Sequence, residues 1–376
     1  MKDIGILTFH KSNNYGSVLQ AYALQQAIED IGYSAEIIDY EPHNYDYLYA
    51  LFRRIRTVDD VRYNIGNLQY FRVIRRLQKE FSLFRVNFMK LTRESYKYGM
   101  NLEKINNQFE NLVCGSDQIW NPKSKDSDDN YFFPFQHKAK KISYAVSLND
   151  GSLQEKKNAE KYKRYLLDFD AISVREKDAQ IELEKFLNKK VHVCLDPTLL
   201  HFSKKYDQIC SEKFISEHYI FFYSIGYSYA AVEAVEKLIE RTGLKAYVLY
   251  TGRGVKRVLR KYKNIKLVEK NVSPCDFLSL IKYADYVVTD SFHGTAFSII
   301  YHKKFFSIGK TDENNRIVRD SRVCNILEQL QLEERFISAK ESETIDLATE
   351  IDYTEVDRKR RGLREDSIQY LISALE

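Results

Sequence analysis

Five of the 376 residues are proline, five are cysteine and one is tryptophan. The cysteines (Cys114, Cys194, Cys210, Cys275, Cys324) are scattered, odd in number and form no CxxC pair. Neither a disulfide framework nor a zinc knuckle is indicated, and reduced thiols in the cytoplasm are the simple expectation. No apolar run approaches the ~18 residues that a membrane span needs. Residues 1–9 read as a strand carrying Lys2 and Asp3, without the long apolar core and small-residue cleavage site of a signal peptide. The GxGxxG, P-loop, HExxH and GxSxG patterns are missing, which disfavours a classical dinucleotide or nucleoside-triphosphate site. No metal and no resident cofactor is expected.

What is present is a globular composition, with 44% hydrophobic and 30% charged residues, 28 of them tyrosine and 22 phenylalanine counted among the apolar and aromatic set. The length exceeds one ordinary core, so two domains are expected. Boundaries at 1–205 and 206–376 follow, with a C-terminal helix packing back on the first domain. The net charge of +5 is unevenly spread: residues 47–104 hold thirteen Lys and Arg against five Asp and Glu. Basic residues alternate there with aromatics, as in YLYALFRRIR, YFRVIRR and FSLFRVNFMK. A basic helical insertion at about 47–110 is expected, its charges forming a solvated face. The sharper reading is a surface that approaches anionic lipid or a phosphate-bearing acceptor. Nucleic acid is not expected, because no recognition motif accompanies the patch.

The chain alternates strand and helix. IGILTF, a turn around Asn13, Asn14, Tyr15 and Gly16, a helix from Ser17 and the strand AEIIDY make a βαβ unit, the sign of a parallel sheet. After the insertion come NLVCGSD, ISYAVSL, DAISVRE and VHVCLDP. A second series begins with HYIFFYSIG and runs through KAYVLYTG and DYVVTDS to FFSIG. The pattern predicts two doubly wound α/β domains of Rossmann type facing a cleft. Ligands in such sheets bind beyond the carboxyl ends of the strands, and the chemically suggestive residues all follow predicted strands.

His293 is the foremost of these. It lies in strand–DSFHGT–helix, where Gly294 permits a sharp turn, Thr295 is expected to cap the helix, and the helix start offers an anion site. A histidine there can hold a proton near neutral pH. Asp290, before it, is a candidate base. Arg175 ends another strand; its guanidinium fork either meets a carboxylate or phosphate or pairs with Glu176 or Asp178. Ser116, Asp117, Trp120 and Asn121 form a third group. Trp120 either stacks on a sugar ring or anchors its loop from within, and Asp117 is a second candidate base. The loop of Asn14, Tyr15 and Gly16 is a weaker candidate acceptor contact.

Taken together, TFHKSNNYGSVLQAYALQ (8–25), CGSDQIWNP (114–122), ISYAVSL (142–148), FDAISVREKDA (169–179), LDPTLL (195–200) and ADYVVTDSFHGTAFSI (284–299) resemble the polysaccharide pyruvyltransferase family over nearly the whole chain. The resemblance implies a GT-B-like pair of domains and transfer of pyruvate from phosphoenolpyruvate, a co-substrate, onto two hydroxyls of a glycan or lipid-linked oligosaccharide, closing a ketal. By position it implies His293 as the catalytic histidine and Arg175 as the donor-binding arginine. Some members carry a second arginine where this chain has Ser291. A second anion clamp is then expected from Arg253, Lys11 or the helix start at Ser291, Gly294 and Thr295. A cytoplasmic protein, in contact with the inner membrane face, fits that role. Two alternatives share the scaffold: a glycosyltransferase using a nucleotide sugar, and a glycan-binding protein without catalysis.

Overall fold

The computed structural model describes residues 2–376 except 69, 101, 136–137, 150, 156–157, 226, 251–253, 312–316, 319, 339–340, 342–346 and 348. Arg253, Gly226 and Gly252 therefore lie outside the described residues. The chain divides into two compact units, Met1–Leu200 with Gly362–Glu376, and His201–Arg361.

In the first unit the strands are β1 (Lys2–Leu7), β2 (Ala35–Glu41), β3 (Leu91–Lys97), β4 (Phe109–Asp117), β5 (Lys140–Val146), β6 (Ser173–Val174) and β7 (His192–Val193). The helices are α1 (Tyr15–Asp30), α2 (Tyr45–Tyr49), α3 (Val58–Leu68), α4 (Phe71–Phe88), α5 (Ala159–Leu167) and α6 (Lys177–Leu187). The strands form one sheet in the order β3-β2-β1-β4-β5-β6-β7, and every pairing in it is parallel. Strands covered on both faces read as continuous apolar runs, and β5 is an example, with Lys141 to Val146 all buried.

The second unit holds α7 (Ser203–Asp207), β8 (Tyr219–Tyr223), α8 (Tyr229–Thr242), β9 (Lys245–Val248), α9 (Gly254–Lys261), β10 (Ile265–Leu267), α10 (Pro274–Lys282), β11 (Tyr286–Thr289), α11 (Phe292–Ile300) and β12 (Lys304–Ile308). A small hairpin of β13 (Lys310–Thr311) and β14 (Ile317–Val318), then α12 (Ser321–Leu330), β15 (Phe336–Ile337) and α13 (Tyr353–Leu375) complete it. Its parallel sheet runs β10-β9-β8-β11-β12-β15. The division between the units falls within α13. Both sheets thus wind outward in two directions from a pair of central strands, β1 and β4 in one and β8 and β11 in the other. A crevice opens at such a reversal, at the carboxyl ends of the central pair.

The segment at 47–110 departs from the expected all-helical insertion. Residues 91–97 are the edge strand β3, in parallel register with β2. Only Thr92 and Tyr96 of it are buried. The helical part packs on α1 through aromatic pairs, Tyr15 with Phe81 at 4.9 Å and Tyr22 with Phe84 at 6.1 Å. The expected solvated basic face holds for α4, where Arg72, Arg75, Arg76 and Lys79 are exposed. It does not hold for α3, whose outward side is apolar: Val58, Val61, Ile65 and Leu68 are all exposed.

Candidate active-site clusters

At the reversal of the first sheet, β1 and β4 deliver Thr8, His10, Ser116 and Asp117 to one edge. Asn14 opens α1 there as its N-cap, its side-chain oxygen accepting from the amides of Gly16 at 2.9 Å and Ser17 at 3.3 Å. Tyr15 and Gly16 are consequently helical and buried rather than loop, and Tyr15 packs on Phe81. This geometry corrects the reading of Asn14, Tyr15 and Gly16 as acceptor contacts: they build and seat the helix. The useful side chains lie one turn further on. Ser17 donates to Asp117 Oδ2 at 2.7 Å. Gln20 donates through Nε2 to Thr8 Oγ1 at 2.8 Å and accepts from the Ser116 amide at 3.1 Å. Ser17 and Gln20 fall within the 8–25 segment that carries the resemblance, but the signal for them individually is only that of polar residues inside an otherwise apolar helix.

β4 ends with unusual backbone. Gly115 has φ +124°, and a Cβ on it would stand 2.1 Å from the Tyr144 carbonyl oxygen, so no larger residue fits. Asp117, also buried, has φ +70°, an uncommon conformation for a non-glycine residue and one that clusters at functional sites. Its Oδ1 accepts from the Gln118 amide at 2.9 Å.

Arg175, at the end of β6, reaches this edge. Its Nη2 donates to Ser116 Oγ at 2.9 Å and lies 3.3 Å from Asp196 Oδ2 and 4.0 Å from Asp117 Oδ1. Asp196, in the LDP segment, is fixed in turn by the Thr198 amide and hydroxyl at 2.9 and 2.6 Å. With 3% of its side chain exposed and two carboxylates around it, this guanidinium is neutralised inside the unit. Its fork thereby links Ser116 to Asp196, beside Asp117. Ser116, fully buried, donates to the Ala145 carbonyl at 2.7 Å and belongs to the same network rather than to an acceptor surface.

Trp120 is likewise corrected. It is fully buried, stacks on Phe132 at 5.2 Å and donates to the Tyr131 carbonyl at 3.1 Å. It is the anchor of its loop, since an indole that already has its partner and no exposure offers no face to a sugar. Asn121 is spent within the same loop, donating to Gln118 Oε1 at 2.8 Å and accepting from the Lys123 amide at 2.9 Å.

Beside this edge, His10 Nε2 meets Asp39 Oδ1 at 3.0 Å. Burial pushes the imidazole pKa down, and Asp39 partly offsets it. Burial works against the charge on Asp39, but His10 and Lys11 outweigh it and hold the carboxyl well below the usual range. Lys11 is bound to Asp39 and Glu41, both at 3.0 Å, which corrects its reading as an anion clamp.

The second unit assembles its own cluster at the reversal between β8 and β11. Ser291 is the N-cap of α11, its hydroxyl accepting from the Gly294 amide at 3.4 Å. The helix therefore begins at Phe292, four residues before the predicted start, and His293 sits in its first turn, 5% exposed. Gly294 is not a turn residue: a Cβ there would stand 2.3 Å from Thr289 Oγ1, so the glycine lets α11 lie against the end of β11. Thr295 is not the cap. Fully buried, it bonds to the Ser291 carbonyl at 3.2 Å and to Ser307 Oγ at 2.7 Å. Gly294 and Thr295 thus seat the first turn of α11, which carries His293. Asp290 accepts from Ser224 Oγ at 2.6 Å and from the Ile225 amide at 3.0 Å. Its carboxylate ties the end of β8 to the end of β11. Among the described residues no group of three or more His, Cys, Asp or Glu is arranged to hold a metal.

No match was found among curated proteins. Solved structures with a similar trace include a UDP-GlcNAc 2-epimerase from Neisseria meningitidis bound to UDP-GlcNAc, at 11% identity over 99% of this chain and 100% of that one, TM-score 0.46. The UDP-N-acetylglucosamine 2-epimerase from Rickettsia bellii is similar at 9% identity, over 100% and 97%, TM-score 0.49. E. coli heptosyltransferase WaaC with ADP is similar at 11% identity, over 91% and 100%, TM-score 0.37. At TM-scores below 0.5 these likenesses carry nothing further. The family model "Polysaccharide pyruvyl transferase" matches residues 14–310, a span that takes in Asp117, Arg175 and His293. The chain belongs to the polysaccharide pyruvyl transferase family.

Proposed function

We propose that the protein transfers pyruvate from phosphoenolpyruvate to two hydroxyls of a sugar in a cell-surface glycan, forming a cyclic ketal. The observation that carries this reading is His293 in the first turn of α11, beyond the carboxyl end of the central strand β11, within a chain of this family. Phosphoenolpyruvate is an enol ether bearing a carboxylate and a phosphate. Its C3 must gain a proton before C2 accepts a nucleophile. His293 is the general acid that supplies that proton, and the helix start favours the negative charge of the donor beside it. A sugar hydroxyl then adds to C2, and its proton passes to a base. The C2–O bond to phosphate breaks, a second hydroxyl closes the ketal as the departing phosphate takes up its proton, and the first hydroxyl's proton returns to the histidine.

Asp117 serves as that base. Ser17 and the Gln118 amide fix its two oxygens, and Arg175 Nη2 lies 4.0 Å away. Phosphoenolpyruvate is made in the cytoplasm, so the reaction places the protein there.

The test is incubation with phosphoenolpyruvate and a panel of nitrophenyl and lipid-linked sugars. The expected result is acceptor-dependent phosphate release together with an acceptor that gains the mass of a pyruvate ketal. If no sugar elicits release, and a nucleotide diphosphate sugar raises Tm where phosphoenolpyruvate does not, the protein is a nucleotide-sugar enzyme instead. Binding of a glycan with neither product would make it a non-catalytic binder.

A further inference from the structure

Helix α3 is built inside out. In a helix at the surface of a soluble protein, the apolar stripe faces the core and the polar side faces water. Here the inward side carries Asp60, Tyr63, Asn64 and Asn67, and all four are bonded to the preceding loop. Asn64 accepts from the Arg53 amide and donates to the Arg53 carbonyl, both at 2.7 Å. Asn67 donates to the Leu51 carbonyl and the Tyr63 hydroxyl to that of Ala50, both at 2.9 Å. Asp60 accepts from the amides of Arg56 at 3.0 Å and Thr57 at 2.9 Å. These bonds fix the rotation of the helix about its axis. They leave Val58, Val61, Ile65 and Leu68, spaced as one stripe, exposed to 68%, 37%, 63% and 64%, with Ile55 beside them at 64%.

The surroundings of the stripe are basic. Arg54 and Arg56 in the preceding loop are exposed, as are Arg72, Arg75, Arg76 and Lys79 on α4. Among the described residues none of these six forms an ion pair. Arg53, Arg54, Arg56 and Arg85 also line a cavity of about 580 Å³ whose wall carries one carboxylate, Asp46. No described helix is long and apolar enough to cross a membrane. An apolar stripe flanked by unpaired cations is the pattern of a helix lying in the plane of an anionic bilayer surface.

We propose that α3 and its flanking arginines dock this protein on an anionic phospholipid bilayer. The side chains of Ile55, Val58, Val61, Ile65 and Leu68 enter the headgroup region. The arginines of the preceding loop and of α4 meet lipid phosphates. The docking requires neither donor nor acceptor, so it stands or falls apart from the proposed chemistry.

The test is co-sedimentation of the full chain with phosphatidylcholine vesicles with and without phosphatidylglycerol, at low and at high salt. Binding is expected to the phosphatidylglycerol vesicles, weakening as salt shortens the screening length. Ile65→Asp with Leu68→Asp should reduce it at least tenfold, because both stripe positions then resist burial. Arg54→Ala and Arg56→Ala should each reduce it about fivefold. Ile65→Ser with Leu68→Ser is the gentler pair should circular dichroism show that the aspartates unfold the helix. Transfer to a water-soluble glycan should be unaffected by the α3 variants. The proposal fails if the wild type ignores phosphatidylglycerol vesicles, or if the α3 variants bind as well as wild type. It also fails if light scattering shows a concentration-dependent dimer that the same variants abolish, since the stripe would then be covered by a second copy.

Discussion

Arg175 Nη2 stands 3.3 Å from Asp196 Oδ2, with 3% and 0% of the two side chains exposed. Removing one partner of such a buried pair leaves an uncompensated charge, at a cost of about 3–5 kcal/mol. Asp196→Ala should therefore lower Tm steeply. Arg175→Lys keeps the charge but loses the fork that holds Ser116 and approaches Asp117. It should lower kcat while leaving the phosphoenolpyruvate KM within about threefold, a range of less than 1 kcal/mol. A rise in donor KM of tenfold or more with kcat intact would return Arg175 to direct donor contact.

His293→Gln should reduce kcat by roughly 10²–10⁴, the usual worth of a positioned general acid, with donor affinity and Tm little changed. Titration calorimetry with phosphoenolpyruvate and steady-state kinetics on the same preparation separate the two effects. Near-normal kcat would remove the role assigned to it.

Trp120→Phe should lower stability by about 1–3 kcal/mol, because it leaves the buried Tyr131 carbonyl without its donor and shrinks a filled core site. Since the indole is wholly enclosed, the acceptor KM should not change. A rise in acceptor KM without loss of Tm would mean that the ring meets sugar after all.

Asp126 sets a pH dependence. It accepts from the Tyr49 hydroxyl at 2.9 Å, so it ties α2 to the first sheet's loops. Burial raises its pKa to about 6, against the lowering effect of the Tyr49 bond and with a further push from the charge of Asp117. A carboxyl whose folded pKa lies above its unfolded value favours folding while protonated. Its contribution is therefore fully present below pH ~4 and lost as pH rises through ~6. Asp126→Asn should abolish that slope and make the protein more stable than wild type at pH 7 by on the order of 2 kcal/mol, after discounting for partial exposure. Denaturant midpoints at pH 4.5 and 7 decide it; a parallel slope in the variant would assign the titration elsewhere.

Much of the architecture can be read from local pattern. Parallel strands buried on both faces are predominantly apolar, so YIFFY, YVVT and ISYAV stand out between turn residues, and the loops after them mark the carboxyl edge where ligands gather. His293 is visible for the same reason, as an imidazole between an apolar strand and an apolar helix. The helix boundaries are less legible. Gly294 looks like a turn residue in sequence, but its need is steric, set by Thr289 across the strand end.

The amino-acid sequence by itself determined the two α/β series, the positions of the strand-end loops, the basic character of the insertion and the family. Tertiary structure alone decided what each polar side chain does with its bonds. Ser17 and Asp117 are 100 residues apart, and Arg175 finds Asp196, because parallel strands bring their carboxyl ends together whatever lies between them in the chain. It also decided that Trp120 is enclosed and that α3 turns its apolar stripe outward. Helical periodicity shows that a stripe exists, but which side faces the protein depends on the hydrogen bonds available there, and for α3 these come from the loop that Asn64, Asn67 and Asp60 hold.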